Sequence, residues 1–207
     1  LPGVLSGFGR KYPGIRLELV EESSDVLADM LTERKIDLTF SCNKAFMRSF
    51  ERYSLFYDHI LLAVPREDPV NEGFRDMALT ATDILNRRHL EPDCPAPPLA
   101  GFRDLEYILL TPGNNLYDRA VSMFREAGFE PRVKLRLAQL ATACHLAEAD
   151  FAATFISDRM VKNPDSPLIF YKLASRLAER LFYILLPDRN YTSHAVKMFI
   201  QYLLVHV

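Results

Sequence analysis

The sequence predicts an α/β fold arranged as two lobes, and three observations carry that expectation. Apolar residues recur by turns at helical and at two-residue spacing, so helices and half-buried strands take turns along the chain. This alternation comes in two series separated by a proline-rich stretch, and 207 residues suffice for one large domain or two small ones. Composition agrees: 49% hydrophobic and 25% charged residues are ordinary for a chain that buries a core, which excludes wholesale disorder.

In the first series, Leu1, Val4, Leu5, Phe8 and Tyr12 share a helical face, and Pro13-Gly14 stops that helix. Ile15, Leu17 and Leu19 then alternate with Arg16, Glu18 and Val20, predicting a strand with one buried face. Ser23 or Ser24 caps the next helix, Asp25 suits its first turn, and Val26, Leu27, Met30 and Leu31 are its apolar stripe. Ile36, Leu38 and Phe40 predict a second strand that ends at Ser41-Cys42-Asn43. Strand, helix and strand with short links form a βαβ unit and imply a parallel sheet.

Tyr53 to Pro65 reads as one long extended segment and Thr80 to Asn86 as a short helix. Residues 87–104 hold four prolines, which deny a helix or a central strand and predict a loop or arm.

The second series opens with a strand from Leu105 to Leu110 and a turn at Thr111-Pro112-Gly113-Asn114. Leu116, Ala120, Phe124 and Ala127 stripe a helix closed by Gly128. Val133, Leu135 and Leu137 alternate with Arg132, Lys134 and Arg136 in the next strand, and Leu140, Cys144 and Ala147 stripe another helix. Strands follow at Phe151–Ile156, Leu168–Leu173 and Leu181–Leu186. Val196, Phe199, Ile200, Leu203 and Leu204 mark the closing helix.

Several function classes are excluded. Lys plus Arg number 25 against 27 Asp plus Glu, a net charge of −2, whereas a dedicated nucleic-acid-binding domain carries a basic excess. The longest apolar run, Leu181 to Leu186, has six residues, far short of the about 20 that span a bilayer, so no membrane partner is expected. Cys42, Cys94 and Cys144 are odd in number and far apart, which fits reduced thiols and a cytoplasmic protein better than disulfides or a zinc site. Asn190-Tyr191-Thr192 matches a glycosylation sequon, with nothing else pointing to secretion. Histidines 59, 89, 145, 194 and 206 show no metal-ligand spacing, and no metal or cofactor is expected. His59 reads as a structural residue near a crossover between the lobes.

Catalytic motifs are lacking. Gly7-Phe8-Gly9 has no third glycine, and neither a nucleophile elbow nor a P-loop occurs. Cys144 and His145 are helical neighbours whose side chains diverge by about 100° and cannot form a dyad. No catalytic residue is assigned, and the chain is not expected to be an enzyme.

Binding features are stronger. Ser41-Cys42-Asn43, Thr111-Pro112-Gly113-Asn114 and Ala138-Gln139-Leu140 each join a strand end to a following segment, where free backbone N–H groups suit an anion. Open α/β sheets bind their ligands at such strand ends. Glu18 and Glu22 share a strand face with Arg16 and Val20, while Arg132, Lys134 and Arg136 share another. These are two solvated faces, or the acidic strand of one subunit pairs with the basic strand of another in an antiparallel homodimer.

Taken in order, these segments resemble the effector-binding domain of LysR-type transcriptional regulators. The resemblance rests on Leu1-Pro2…Phe8…Tyr12-Pro13-Gly14-Ile15-Arg16-Leu17-Glu18-Leu19, on Asp25…Leu27…Leu31…Arg34-Lys35-Ile36-Asp37-Leu38, and on Leu62-Ala63-Val64-Pro65-Arg66-Glu67-Asp68-Pro69; it runs to the closing helix with Phe199. It implies a fold like that of type 2 periplasmic binding proteins: two Rossmann-like lobes joined by two crossover segments, lobe I at 1–58 and 176–207 and lobe II at 59–175. It also implies a cleft between the lobes that takes a small anionic metabolite. That cleft would be lined by Ser41, Cys42, Asn43, Thr111, Gly113, Asn114, Ala138, Gln139, Leu140, Thr154 and Phe155. A homodimer is implied, with a tetramer open for the full-length protein, and DNA contact only through a winged helix-turn-helix domain that precedes Leu1 with a linker helix and the first strand of lobe I. The chain opens mid-pattern without Met, which fits that expectation. It departs from the family's Gly-x-Gly turn before a lobe II strand and from the Pro after it: Asp150-Phe151-Ala152 and Ser157 stand there. The alternatives are a transporter's solute-binding protein, which shares the fold, and a small cytosolic enzyme with a Cys42 or Cys144 nucleophile.

Overall fold

A computed structural model describes residues 2–43, 48–187 and 192–207. Leu1 of the expected first helix, and Asn190 and Tyr191 of the sequon triplet, lie outside the described residues. The elements run α1 (Pro2–Lys11), α2 (Ser24–Thr32), β1 (Thr39–Ser41), β2 (Glu51–Pro65), α3 (Val70–Gly73), α4 (Ala81–Leu85), β3 (Glu106–Leu110) and α5 (Asn115–Glu126). They continue with β4 (Arg132–Leu137), α6 (Leu140–Glu148), β5 (Ala153–Ser157), β6 (Leu168–Lys172), β7 (Glu179–Leu186) and α7 (His194–His206). The chain divides into two compact units, Leu1–Tyr57 with Leu181–Val207, and Asp58–Arg180.

In the first unit β1 pairs antiparallel with β7, Thr39 opposite Leu185 and Ser41 opposite Tyr183. The helices α1 and α7 close over a core of Phe8, Ile184, Leu186, Phe199, Ile200 and Leu203. Phe8 is fully buried, its ring edge-on to Phe199 at 4.9 Å and to Tyr202 at 5.4 Å. The Ser23 side chain accepts from the Val26 N–H and starts α2 where the sequence places it.

Two expectations for this unit are corrected. No strand forms over Ile15–Val20, because a strand takes its hydrogen bonds from a neighbour and no described segment supplies one. The segment is left open, with Leu19 74% exposed. Among the described residues the first series therefore makes no parallel pair; its surviving strand, β1, is antiparallel to β7.

In the second unit the strand order is β6-β2-β5-β3-β4. Within this unit β2 runs antiparallel to β5 and β6, Leu61 facing Ile156 on one side and Lys172 on the other. β3 runs parallel to β4 and β5, as the second βαβ series requires. Leu116, Ala120, Met123 and Phe124 of α5 pack into this sheet's core, where the Phe124 ring meets Tyr107 at 4.9 Å and Phe155 at 5.3 Å. Thr80 and Asp83 form a reciprocal capping box that starts α4.

The proline-rich stretch is a loop of short 3-10 turns, as its prolines demand, but it is packed down rather than projecting as an arm. Phe102 is fully buried against Phe74 at 4.6 Å, its carbonyl accepts from the Tyr107 hydroxyl at 2.8 Å, and His89 and Cys94 are buried in the same stretch. Burying a phenylalanine side chain stabilises a fold by about 1.5–3 kcal/mol, enough to hold such a loop in place.

Candidate functional site

The carboxyl edge of the parallel strands in the second unit gathers two of the expected junctions. The Thr111 N–H donates to the Leu137 carbonyl at 2.9 Å, tying the end of β3 to the end of β4. That bond brings Thr111, Gly113 and Asn114 beside Ala138, Gln139 and Leu140. Gly113 sits at φ 88°, a conformation that costs a residue with a Cβ and lets the turn close tightly. Asn114 then starts α5, its side chain accepting from the Leu116 N–H at 2.9 Å. Gln139 precedes α6 and spends no side-chain bond on capping it. Thr111, Gly113, Ala138 and Gln139 are exposed, so the turns that lead into the two helices face solvent.

The remaining expected lining residues are found in β5 and in the first unit. Thr154 and Phe155 are interior positions of β5, each 2% exposed; the Thr154 hydroxyl donates to the Ile108 carbonyl at 3.0 Å, and the Phe155 ring is enclosed by Tyr107 and Phe124. Ser41, Cys42 and Asn43 belong to the first unit, at the end of β1. There Ser41 and Cys42 are buried and the Ser41 hydroxyl accepts from the Asn43 N–H at 3.1 Å.

The charged faces differ from each other. Glu18 and Glu22 are exposed on a segment that is not a strand. Arg132, Lys134 and Arg136 form the outward row of β4, and part of their charge is met within the chain. Lys134 pairs with Glu106 at 2.7 Å and donates to the Phe151 carbonyl, Arg132 lies 3.9 Å from Asp104, and Arg136 sits over the Tyr117 ring.

A second constellation has no counterpart in the sequence spacing. At the end of β5, Asp158 accepts from the His59 N–H at 3.1 Å through one carboxylate oxygen. Its other oxygen lies 3.3 Å from His59 Nδ1 and 3.0 Å from His89 Nε2. Burial pushes the Asp158 carboxyl up, but the hydrogen bonds from His59 and His89 outweigh it and hold the group well below the usual carboxylate range. His89 is 3% exposed, and its Nδ1 has no hydrogen-bond partner among the described residues. A cavity of about 160 Å³ opens beside these rings, lined also by Lys172, Ser175, Arg176 and Glu179. Asp158 lies 99 residues from His59 and 69 from His89, so only the antiparallel pairing of β2 with β5 and the packed-down proline-rich loop bring the three together.

Cys144 and Cys94 are not primed as nucleophiles. Burial, reinforced by Glu148, pushes the Cys144 thiol up to about 11, and burial also raises Cys94. Among the described residues no helix is long and apolar enough to cross a membrane.

An α/β sheet with these helix starts at its strand ends has the type 2 periplasmic-binding-protein fold of the effector-binding domains it resembles. The regulatory domain of CcmR from Synechocystis PCC6803, solved in complex with 2-PG, is 15% identical with a TM-score of 0.79, covering 99% of this chain and 89% of that one. The effector-binding domain of QuiR in complex with shikimate is 15% identical with a TM-score of 0.73, covering 99% of this chain and 88% of that one. The chain belongs to the LysR substrate binding domain family, whose model matches residues 1–207. Among curated relatives, the HTH-type transcriptional regulator YcgK of Bacillus subtilis (strain 168) is 24% identical over 203 residues, 97% of this chain. The chain spans 60% of that relative's length.

Proposed function

We propose that this domain is the sensing part of a cytoplasmic transcription regulator, and that it binds a small carboxylate rather than catalysing a reaction. The observation that carries this reading is the Thr111–Leu137 hydrogen bond, which sets two helix starts, each reached through an exposed turn, side by side at one sheet edge. Helix N-termini carry a partial positive charge, and adjacent ones suit a carboxylate. Thr111, Gly113, Asn114, Ala138, Gln139 and Leu140 are the contacts proposed in the second unit. Ser41, Cys42 and Asn43, together with Thr154 and Phe155, are the further contacts that the family resemblance implies. The CcmR and QuiR domains, solved with 2-PG and shikimate, support an acidic effector. DNA is reached through sequence outside this chain, in a homodimer whose two copies are re-aimed when the effector favours one arrangement over another.

The test is a thermal-shift screen of small mono- and dicarboxylates, followed by calorimetry. A ligand at about 100 times its Kd stabilises the bound domain by about 2.7 kcal/mol, a readily visible rise in Tm. The reading predicts that a Thr111→Ala, Asn114→Ala variant loses that rise. Full affinity in the variant would place the site elsewhere.

A further inference from the structure

We propose that His59, His89 and Asp158 form a binding site for one divalent transition-metal ion of the zinc type. Two imidazoles and a carboxylate are the donors such an ion takes, and the three ligand atoms lie within 4.8 Å of one another. A tetrahedral ion with bonds of about 2.0–2.1 Å sets its donors roughly 3.3 Å apart. The structure holds His59 Nδ1 at 3.3 Å and His89 Nε2 at 3.0 Å from the same carboxylate oxygen. Only small shifts are needed to admit an ion among them.

The surroundings support this assignment. When Nδ1 of His59 coordinates, its Nε2 carries the ring hydrogen, and Glu179 Oε2 stands 3.9 Å from that nitrogen. At that distance the two are an ion contact and not a hydrogen bond; a small movement of the exposed Glu179 side chain brings the carboxylate behind the ring, where it would fix the ring and raise its basicity. His89 has no such support, because its buried Nδ1 lacks an acceptor, so the site binds less tightly than one with both histidines backed. The three donors leave a fourth position open, and the cavity beside them, with Lys172 and Arg176 on its wall, provides room for water or an anion there.

The test titrates the metal-stripped chain with Co²⁺, whose visible absorption reports coordination number, and then displaces it with Zn²⁺. Expected are one-to-one binding with the intense absorption of four-coordinate cobalt, and release by zinc. His59→Gln and Asp158→Asn each lower the affinity at least about 100-fold, Glu179→Gln lowers it about 10-fold, and His145→Ala leaves it unchanged. His59 is 25% exposed against 3% for His89, so His59→Gln keeps the fold and carries the test should a His89 variant fail to fold; thermal melts of each variant establish this. Absence of saturable one-to-one binding, or binding that survives both His59→Gln and Asp158→Asn, overturns the proposal.

Discussion

The Arg180 guanidinium donates through Nε to Asp58 at 2.7 Å, and both side chains are buried, 7% and 2% exposed. These two residues are the last and the first of the second unit, so a buried ion pair clasps the points where its chain enters and leaves. The Ser157 hydroxyl, at the end of β5, donates to the same carboxylate. Removing one partner of a buried pair leaves an uncompensated charge and costs roughly 3–5 kcal/mol. Asp58→Ala or Arg180→Ala should therefore lower Tm by roughly 10 °C in a calorimetric scan. The apolar double variant Asp58→Leu, Arg180→Met should lose much less than either single change, because no charge is left stranded. A double variant as unstable as the sum of the singles would show that the two side chains are not coupled and would overturn this account.

Asn114 separates stability from recognition. Its side chain caps α5, and replacing a cap by alanine costs about 1 kcal/mol. Asp caps as well as Asn and suits the helix dipole, so Asn114→Asp should melt at or slightly above the wild-type temperature. The same change puts a negative charge where a carboxylate is proposed to bind. Calorimetry with an identified acidic effector should show affinity lost at least tenfold in Asn114→Asp with the fold intact; retained affinity would remove Asn114 from the site.

Much of this architecture is legible residue by residue, and the misses have physical causes. The second unit's strands β3 and β4, the cap at Asn114 and the turn around Gly113 are local features, written in two-residue alternation and turn chemistry. Ile15–Val20 has the same alternation and forms no strand, because pattern alone does not supply the hydrogen-bonding neighbour that a strand needs. The antiparallel pairing of β1 with β7 joins residues far apart in sequence, which no local rule could reach. His59, His89 and Asp158 were invisible for the same reason: each is an unremarkable single residue until β2, β5 and the proline-rich loop meet. The junctions at Thr111–Asn114 and Ala138–Leu140 were readable as separate loops; their adjacency is a property of the parallel β3–β4 pair.

Asp150 illustrates a departure from the family pattern that the backbone still honours. It stands where the family has the glycine turn, and it adopts φ 61°, closing α6 with bonds from its own N–H to Ala147 and from the Phe151 N–H to Leu146. Left-handed backbone is unfavourable for a residue with a Cβ, less so for Asp, and a carboxylate at a helix C-terminus opposes the dipole. Asp150→Gly should raise stability by about 0.5–1 kcal/mol and Asp150→Val should lower it by about 1–2 kcal/mol. Denaturant unfolding of the three variants checks the order Gly, Asp, Val from most to least stable.

Cys144 gives a pH dependence with a definite sign. Its thiol is raised to about 11 from an ordinary value of 9.0, by burial first and Glu148 second. The unfolded chain loses this proton before the folded one, so the contribution to stability is full below the ordinary value and is lost as pH rises from there through the folded value. At neutral pH, site-resolved iodoacetamide labelling of Cys144 should run roughly 100-fold or more slower than that of free cysteine. Rapid labelling would reopen the reading of this chain as a cysteine enzyme.

The outward row of β4 tests assembly. Arg132, Lys134 and Arg136 point from the edge strand of the second unit, and an exposed edge with one sign of charge suits a partner of the other sign. Glu18 and Glu22 of a second copy are the proposed partners; both are exposed, and Glu18 exchanges its exposed pair with Arg16 for the basic row. Lys134→Glu with Arg136→Glu should convert a dimer to a monomer in sedimentation velocity at low salt, and added salt should weaken the wild-type dimer, since exposed pairs are screened. The change also breaks the Lys134–Glu106 pair within the chain, but exposed pairs are worth about 1 kcal/mol or less, so the fold should survive it. Adding Glu18→Lys and Glu22→Lys to the reversed chain restores opposite signs across the interface. Recovery of the dimer in that fourfold variant would distinguish direct pairing from a general effect of charge, and an unchanged sedimentation coefficient in the first variant would exclude this edge as the interface.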